Sequence, residues 1–409
     1  MRAVQTLRAG PLRRQPTGPR PPGPDAAADD PFGLEIAREH QWHYSFDRTL
    51  QRSSHTVSSV AFSPDGHLLF SGSSSGDVRA WDTRSWTDAG AARGCRGEDF
   101  CALEASPSQR WLLAAQPSAL RLFGCEAPWP EEHCCAPPRG GVHGVHLERE
   151  AGAAAAAEPL WRCAAFAPAA PGRQRGGQAP AQQLAALSTD HLCVMERSGG
   201  GGLSQRTHSL PGFAQFTCLA YTACGGCIVC GSDGGHLQVW NAQLLILERT
   251  LLCEGARRCL TISPPDAAYE PRLVAGGAES SLHVWRPGEW TLEQVVTDPP
   301  SGKAAIHGCS FSPSGAWLIT VGKHFCVWRV SPDRRRRLCL CLHQRLEDAC
   351  GAQGLRAVAV RGPDDFIAVG SQDGLLGLWM RQAGLPPRSP ASPSGSSAQA
   401  ERRRSRLAP

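Results

Sequence analysis

Short segments in which apolar and polar residues alternate recur along the middle of the chain, and each closes on a large apolar side chain. Clear examples are residues 78–81, 237–240 and 282–285, each of which ends in tryptophan. Alternation over a few residues is the period of a half-buried β-strand and not of a helix. The pattern therefore predicts a protein built mainly from short strands.

Seven such closing strands follow one another at a nearly regular spacing. Their last residues are Trp81, Phe123, Met195, Trp240, Trp285, Trp328 and Trp379. The intervals are about 42 to 51 residues, apart from one gap of 72 that contains low-complexity inserts at 153–157 and 171–183. An apolar strand and a turn with Gly or Ser precede each closing strand, so the period predicts seven antiparallel sheets.

Three local motifs connect this period with a known family. A Phe-Ser-Pro-Asp-Gly turn lies at 62–66, a Gly-Ser-x-Asp-Gly turn at 370–374, and Trp-Asp closes the first repeat at 81–82. As a set recurring over about residues 41–382, they resemble the WD40 repeat family. The resemblance implies an all-β, seven-bladed WD40-type β-propeller that acts as a non-catalytic scaffold for proteins or peptides.

The single repeats depart from the pattern of the family. Family members often tie a blade together through hydrogen-bonded His, Ser, Trp and Asp side chains. Blade 1 offers His55, Ser71 and Trp81, but Ser75 stands where the aspartate is expected. Blades 4 and 7 have the turn aspartate without a matching histidine. Assignment to a subfamily is therefore not made.

The ends of the repeat array predict how the ring closes. Few residues separate Trp379 from a Ser/Pro/Arg-rich tail at 383–409, so the seventh repeat lacks an outer strand. Residues 42–52 alternate without a repeat of their own and are predicted to supply it. The Pro/Arg/Ala-rich residues 1–40 and the tail are expected to be disordered extensions, and the inserts are placed within 148–183 of blade 3.

Composition narrows the compartment and the class of partner. The basic residues are almost all arginine, and the net charge of the chain is +5. Residues 41–382 are neutral, so their charge gives no reason to expect binding to nucleic acid or to an anionic membrane. Many of the 18 cysteines lie among apolar neighbours, and no apolar run is long enough to span a bilayer. We expect a cytoplasmic or nuclear location. Residues 1–24 carry five Arg and no acid, like a transit peptide, but their prolines disfavour the required helix.

Two motifs could suggest chemistry. Residues 72–76 read Gly-x-Ser-x-Gly, but a hydrolase needs a helix after this turn and a strand is predicted instead. Cys224, Cys227 and Cys230 lack the second ligand pair that a zinc site requires, and the last two point to opposite faces of one strand. We therefore expect no catalytic residue, no metal and no cofactor.

One set of positions is predicted to bind a partner. In the family, the second residue of each innermost strand tends to face the narrow rim of the propeller, where partners bind. Carried over repeat by repeat, this position selects Ser58, Cys101, Arg162, Thr217, Arg258, His307 and Arg356. Three arginines and a histidine on one face suit an acidic or phosphorylated peptide, although an arginine-rich chain could place them there by chance.

Other functions keep the same fold. The basic runs at 334–337 and 402–406 could contact nucleic acid in a ribonucleoprotein or chromatin complex. A substrate receptor of a ubiquitin ligase would need an adaptor-binding element, and none is visible in the N-terminal arm. Each of these interpretations makes the chain a subunit of a larger complex.

Overall fold

The computed structural model describes most of the repeat array and little of the two ends. The described residues are 6–7, 42–125, 130–138, 159–168, 182–197, 203–210, 215–297 without 254, 256, 266, 268 and 279, 305–332, 337–346, and 354–383 without 363. The chain divides into two compact units, one of residues 1–17 and 46–380 and one of residues 18–45 and 381–409. Only 42–45 and 381–383 of the second unit are described.

The described residues form strands and turns, without a helix. Strands β1 (Thr6–Leu7) and β2 (Trp42–Arg52) come before the first blade. Blade 1 contains β3 (Val57–Phe62), β4 (Leu68–Ser73), β5 (Asp77–Asp82) and β6 (Thr87–Arg93). Blade 2 contains β7 (Ala102–Ala105), β8 (Trp111–Ala115), β9 (Leu120–Gly124) and β10 (Glu131–Cys135). Blade 3 contains β11 (Trp161–Phe166), β12 (Gln182–Ser188), β13 (His191–Arg197) and β14 (Leu203–Ser209).

The remaining four blades repeat this order. Blade 4 contains β15 (Phe216–Tyr221), β16 (Cys227–Ser232), β17 (His236–Asn241) and β18 (Leu247–Leu252). Blade 5 contains β19 (Arg257–Ile262), β20 (Leu273–Gly277), β21 (Ser281–Arg286) and β22 (Thr291–Thr297). Blade 6 contains β23 (Ile306–Phe311), β24 (Trp317–Gly322), β25 (Phe325–Pro332) and β26 (Leu338–Leu346). Blade 7 contains β27 (Leu355–Val360), β28 (Phe366–Ser371) and β29 (Leu375–Ala383), and its outermost strand is β2.

The innermost strands of successive blades contact one another around a closed ring, including β27 of blade 7 with β3 of blade 1. Side chains bond across the junction of these two blades. Thr56 Oγ1 donates to the carbonyl of Gln372 at 3.0 Å, and Arg361 Nε donates to the carbonyl of Gly66 at 3.0 Å. Closure leaves few free sheet edges, which suits an all-β chain. The predicted seven-bladed, all-β fold is confirmed.

The core lies between neighbouring sheets, and the closing tryptophans are part of it. Trp81 is buried and its indole N–H donates to Ser71 Oγ at 3.0 Å. Trp328 makes the equivalent bond to Thr320 at 2.9 Å. His55, by contrast, is exposed, so the hydrogen-bonded set of blade 1 is reduced to Ser71 and Trp81. Packing against the next blade, and not the polar set, therefore holds the repeats together.

One short part of the predicted N-terminal extension is an ordered strand. Thr6 and Leu7 pair in parallel with Thr250 and Leu251 of β18, which adds a fifth strand to the sheet of blade 4. In blade 3, the innermost strand β11 lies between the two predicted inserts at 153–157 and 171–183. The other residues of 1–40 and of 384–409 lie outside the described residues. Within the described part, no helix is long and apolar enough to cross a bilayer.

Candidate functional site on the propeller rim

The seven predicted rim residues occupy one structural position. In six blades a β-bulge follows the first residue of the innermost strand, and the extra residue of the bulge is the predicted one. Those residues are Ser58, Arg162, Thr217, Arg258, His307 and Arg356. In blade 2, Cys101 immediately precedes β7 and its N–H donates to Ala115 O at 2.8 Å. Because bulges redirect side chains, we call these seven the bulge positions.

Three of the bulge positions hold neighbouring blades together. Ser58 Oγ of blade 1 accepts the N–H of Phe100 in front of blade 2 at 2.9 Å. Cys101 Sγ of blade 2 donates to the carbonyl of Trp161 in blade 3 at 3.5 Å. Thr217 Oγ1 of blade 4 donates to the carbonyl of Arg257 in blade 5. These side chains satisfy backbone groups at the ends of inner strands, so their first role is structural.

Three consecutive bulge positions, in blades 5, 6 and 7, carry cationic or basic side chains. Arg258 and Arg356 are exposed, and His307 between them is half-buried. Burial lowers the pKa of His307, and the positive charges of Arg356 and Arg258 lower it further. Both guanidinium groups therefore lie close enough to act on one imidazole. We call Arg258, His307 and Arg356 the basic arc.

Arg162 is exposed but lies apart from the basic arc. Blade 4, with Thr217 at its bulge position, separates it from Arg258. Burial raises the pKa of the Cys101 thiol to about 12; Arg162 opposes this shift, while Glu98 and Asp99 add to it. The charges of Arg162, Glu98 and Asp99 thus all act on one thiol, that of Cys101. The structure brings three of the four predicted basic residues together on consecutive blades and leaves the fourth apart from them.

Two residues near the basic arc were missed by the sequence analysis. Gln372, in the turn between β28 and β29, accepts a hydrogen bond from Arg356 Nη2 at 2.8 Å, which orients the guanidinium without neutralising it. Lys323 is exposed in the turn between β24 and β25 and lines a small cleft with Ile306 and His324. The cleft encloses about 20 Å³, room for about one water molecule. This cleft is therefore too small to hold a metabolite.

The other candidates for chemistry lie in ordinary sheet structure. Ser74 of the Gly-x-Ser-x-Gly motif is in the turn between β4 and β5, where a strand follows. On β16, Cys227 is half-buried and Cys230 is buried, as expected for side chains on opposite faces. No group of His, Cys, Asp or Glu among the described residues is arranged to hold a metal ion.

The basic runs fall mostly outside the described residues. Arg337 is described at the start of the segment leading into β26, whereas 334–336 and 402–406 are not. The interpretation that these runs contact nucleic acid therefore stays a prediction.

Comparisons with known proteins agree with the fold. The profile of the family described as WD domain, G-beta repeat matches residues 45–82 and 204–241. No curated protein matches. The crystal structure of the Cps50 (Swd1) β-propeller domain of Myceliophteria thermophila matches at a TM-score of 0.63 and 17% identity, over 83% of this chain and 99% of that one. Propellers of this type are generally non-catalytic scaffolds for protein interactions. The chain is therefore a seven-bladed β-propeller, two segments of which match the WD40 repeat.

Proposed function

We propose that this propeller is a protein-interaction scaffold whose basic arc docks acidic or phosphorylated segments of a partner. The observation that carries the proposal is the placement of Arg258 and Arg356 on either side of His307, on three consecutive blades. Arg258 has neither a hydrogen-bond nor an ion-pair partner among the described residues. Arg356 donates to a neutral amide, so this hydrogen bond does not neutralise its positive charge.

The chemistry of these side chains fits an anionic peptide. Each guanidinium presents a planar fork that can bond two oxygens of one carboxylate or phosphate. A phosphorylated side chain offers three acceptor oxygens and nearly two negative charges, so it could bridge the two arginines. The anion would also favour protonation of His307, which would add a third donor. The neighbouring Lys323 would extend the attraction along the rim.

The proposal can be tested with synthetic peptides. A peptide array of phosphoserine-containing and glutamate-containing sequences would first select a binder, which is then labelled with fluorescein. For this peptide, Arg258→Gln/Arg356→Gln should raise the Kd measured by fluorescence anisotropy at least about 100-fold, because two charge-assisted contacts of ~1.5–3 kcal/mol each are removed. The melting temperature should not change, since both side chains are exposed.

A matched variant controls for the loss of positive charge. Arg84 is an exposed arginine in the turn between β5 and β6, at the opposite ends of the strands. Arg84→Gln should leave the Kd unchanged. An equal loss in both variants, or no loss in the double variant, would contradict the proposal. If the full chain instead bound single-stranded RNA with a steep dependence on salt, that result would favour the ribonucleoprotein alternative.

A further inference from the structure

A cysteine outside the rim site is held in a fixed position. Cys95 lies on the connection between β6 and β7, beside the turn between β8 and β9. The buried side chain of Gln116 accepts the N–H of Cys95 at 2.6 Å and donates to the carbonyl of Cys95 at 2.8 Å. A Cβ atom on Gly94 would lie 2.2 Å from Gln116 Oε1, so only glycine permits this approach. The backbone of Cys95 is therefore clamped on both sides.

The sulfur of Cys95 faces two hydrogen-bonding groups. Arg121 Nη2 lies 3.1 Å from Cys95 Sγ, and Ser118 Oγ lies 3.0 Å from it. Arg121 is anchored at its other side by Glu131, through an Nε to Oε2 bond of 3.1 Å. A guanidinium beside a sulfur stabilises the thiolate, which is the nucleophilic form of cysteine.

A carboxylate lies on the other side of the Ser118 hydroxyl. Ser118 Oγ also lies 2.8 Å from Glu98 Oε2, and this carboxylate accepts the Ser118 N–H at 3.1 Å. The Ser118 hydroxyl donates to Cys95 Sγ, so with Arg121 it places two donors on the sulfur, which favours the thiolate. Nucleophile, hydroxyl donor, carboxylate and cation thus occur together, an arrangement shared by activated nucleophiles in general.

A second thiol belongs to this cluster. Cys134 on β10 is the direct cross-strand partner of Arg121 on β9, and its side chain is exposed. Partial burial raises the pKa of Cys134 against the opposing pull of Arg121. The raised pKa keeps Cys134 mostly protonated, so Cys134 is not suited to attack first.

We propose that Cys95 and Cys134 form a peroxide-reactive thiol pair. In the first step, the sulfur of Cys95 attacks one oxygen of a hydroperoxide and the O–O bond breaks. Cys95 becomes a sulfenic acid, and the leaving oxygen takes the proton that the Cys95 thiol has given up. With hydrogen peroxide, the products are the sulfenic acid and one water; the sulfur loses two electrons and the peroxide gains them.

The second step joins the two cysteines. The sulfur of Cys134 attacks the sulfenic sulfur of Cys95, an S–S bond forms, and the hydroxyl leaves with the Cys134 proton as water. The resulting disulfide links the connection between blades 1 and 2 to the outer strand of blade 2. The ligand class of the site is thus a small hydroperoxide.

The pair can be tested on the reduced full chain with hydrogen peroxide, dimedone and peptide mass spectrometry. In Cys134→Ser, dimedone should accumulate on Cys95 at least about 10-fold faster than on Cys224 or Cys341, which are exposed thiols. In the unmodified chain, a peptide containing the Cys95–Cys134 disulfide should replace most of that adduct. Catalytic amounts of thioredoxin and its reductant should remove the disulfide.

Two further variants separate activation of the thiol from its exposure. Ser118→Ala and Arg121→Gln should each slow dimedone labelling of Cys95 by about 5-fold or more while labelling of Cys224 stays constant. Arg84→Gln should leave both rates unchanged. Labelling of Cys95 no faster than Cys224, or no Cys95–Cys134 disulfide in the unmodified chain, would overturn the proposal. All labelling rates are compared in the Cys134→Ser background, where no disulfide with Cys134 consumes the sulfenic acid of Cys95.

Discussion

The bulge positions fall into two groups with different roles. One group lies in blades 1, 2 and 4, and the other lies in blades 5, 6 and 7. Ser58, Cys101 and Thr217 bond to the backbone around the next blade. Arg258 and Arg356 instead extend into solvent on either side of His307. The comparison shows that the fold supplies a repeated position, and that the side chain decides whether it stabilises the ring or faces a partner.

Side-chain length explains the difference. A hydroxyl or thiol on Cβ reaches only the adjacent backbone, whereas a guanidinium stands several bonds away from it. Where the bulge position is basic, other side chains join the blades. Cys259 Sγ donates to Ile306 O at 4.0 Å between blades 5 and 6, and Thr56 performs this task between blades 7 and 1. The exposed cations of the basic arc are thus freed from a structural role.

The largest expected difference between the two groups of bulge positions is in their contribution to stability. Ser58→Ala leaves the Phe100 N–H without its acceptor, and Thr217→Val leaves the Arg257 carbonyl without that donor. Each should lower the free energy of unfolding by about 1–3 kcal/mol, measured by urea denaturation. Neither should change the Kd for the acidic peptide.

The corresponding substitutions in the basic arc should behave in the opposite way. Arg258→Gln and Arg356→Gln should leave the midpoint of urea denaturation unchanged and should weaken binding of the peptide. If Ser58→Ala weakened peptide binding as much as Arg356→Gln does, under conditions in which both variants are fully folded, the division between structural and binding positions would be wrong.

A smaller effect is expected at Arg162. This residue shares the bulge position and the exposure of Arg258, but blade 4 separates it from the basic arc, and the acidic Glu98 and Asp99 act on the same thiol, Cys101, as it does. Arg162→Gln should therefore raise the Kd for the peptide less than about 3-fold, a difference below ~0.7 kcal/mol. Anisotropy titrations of the single variants side by side measure this. A loss equal to that of Arg258→Gln would extend the binding surface across blade 4 and remove the asymmetry.

Much of the fold could be predicted from the sequence because the same strand pattern recurs in seven repeats, so that each repeat checks the assignment of the others. The spacing of Trp240, Trp285 and Trp328 sets the period, and the same period locates the bulge position in every blade. Replacement of the Ser71 equivalent by Cys230 and Ala275 explains why the family's polar set is weak while the blades still form. In these blades the indole N–H groups have no acceptor among the described residues.

The site was less predictable because it depends on distances between repeats. Sequence alone does not reveal that Thr217 reaches Arg257, or that Gln372 orients Arg356. The Cys95 cluster shows the same limit, since it joins a connection, a turn and two strands that no spacing rule relates. The only sequence signal for it is a glycine beside a cysteine, which is common in loops.

The most direct test of the basic arc is the titration of His307 itself. Burial and the charges of Arg356 and Arg258 hold its pKa below the ordinary value of 6.5, so the free protein resists protonation and loses stability as pH falls below 6.5. Its imidazole resonance can be followed by NMR against pH, with assignment from His307→Gln, in free protein and with saturating phosphorylated peptide. We expect the midpoint to start below 6.5 and to rise when the anion neutralises the two arginines. A midpoint that stays unchanged while the peptide is bound would place docking elsewhere and contradict the account.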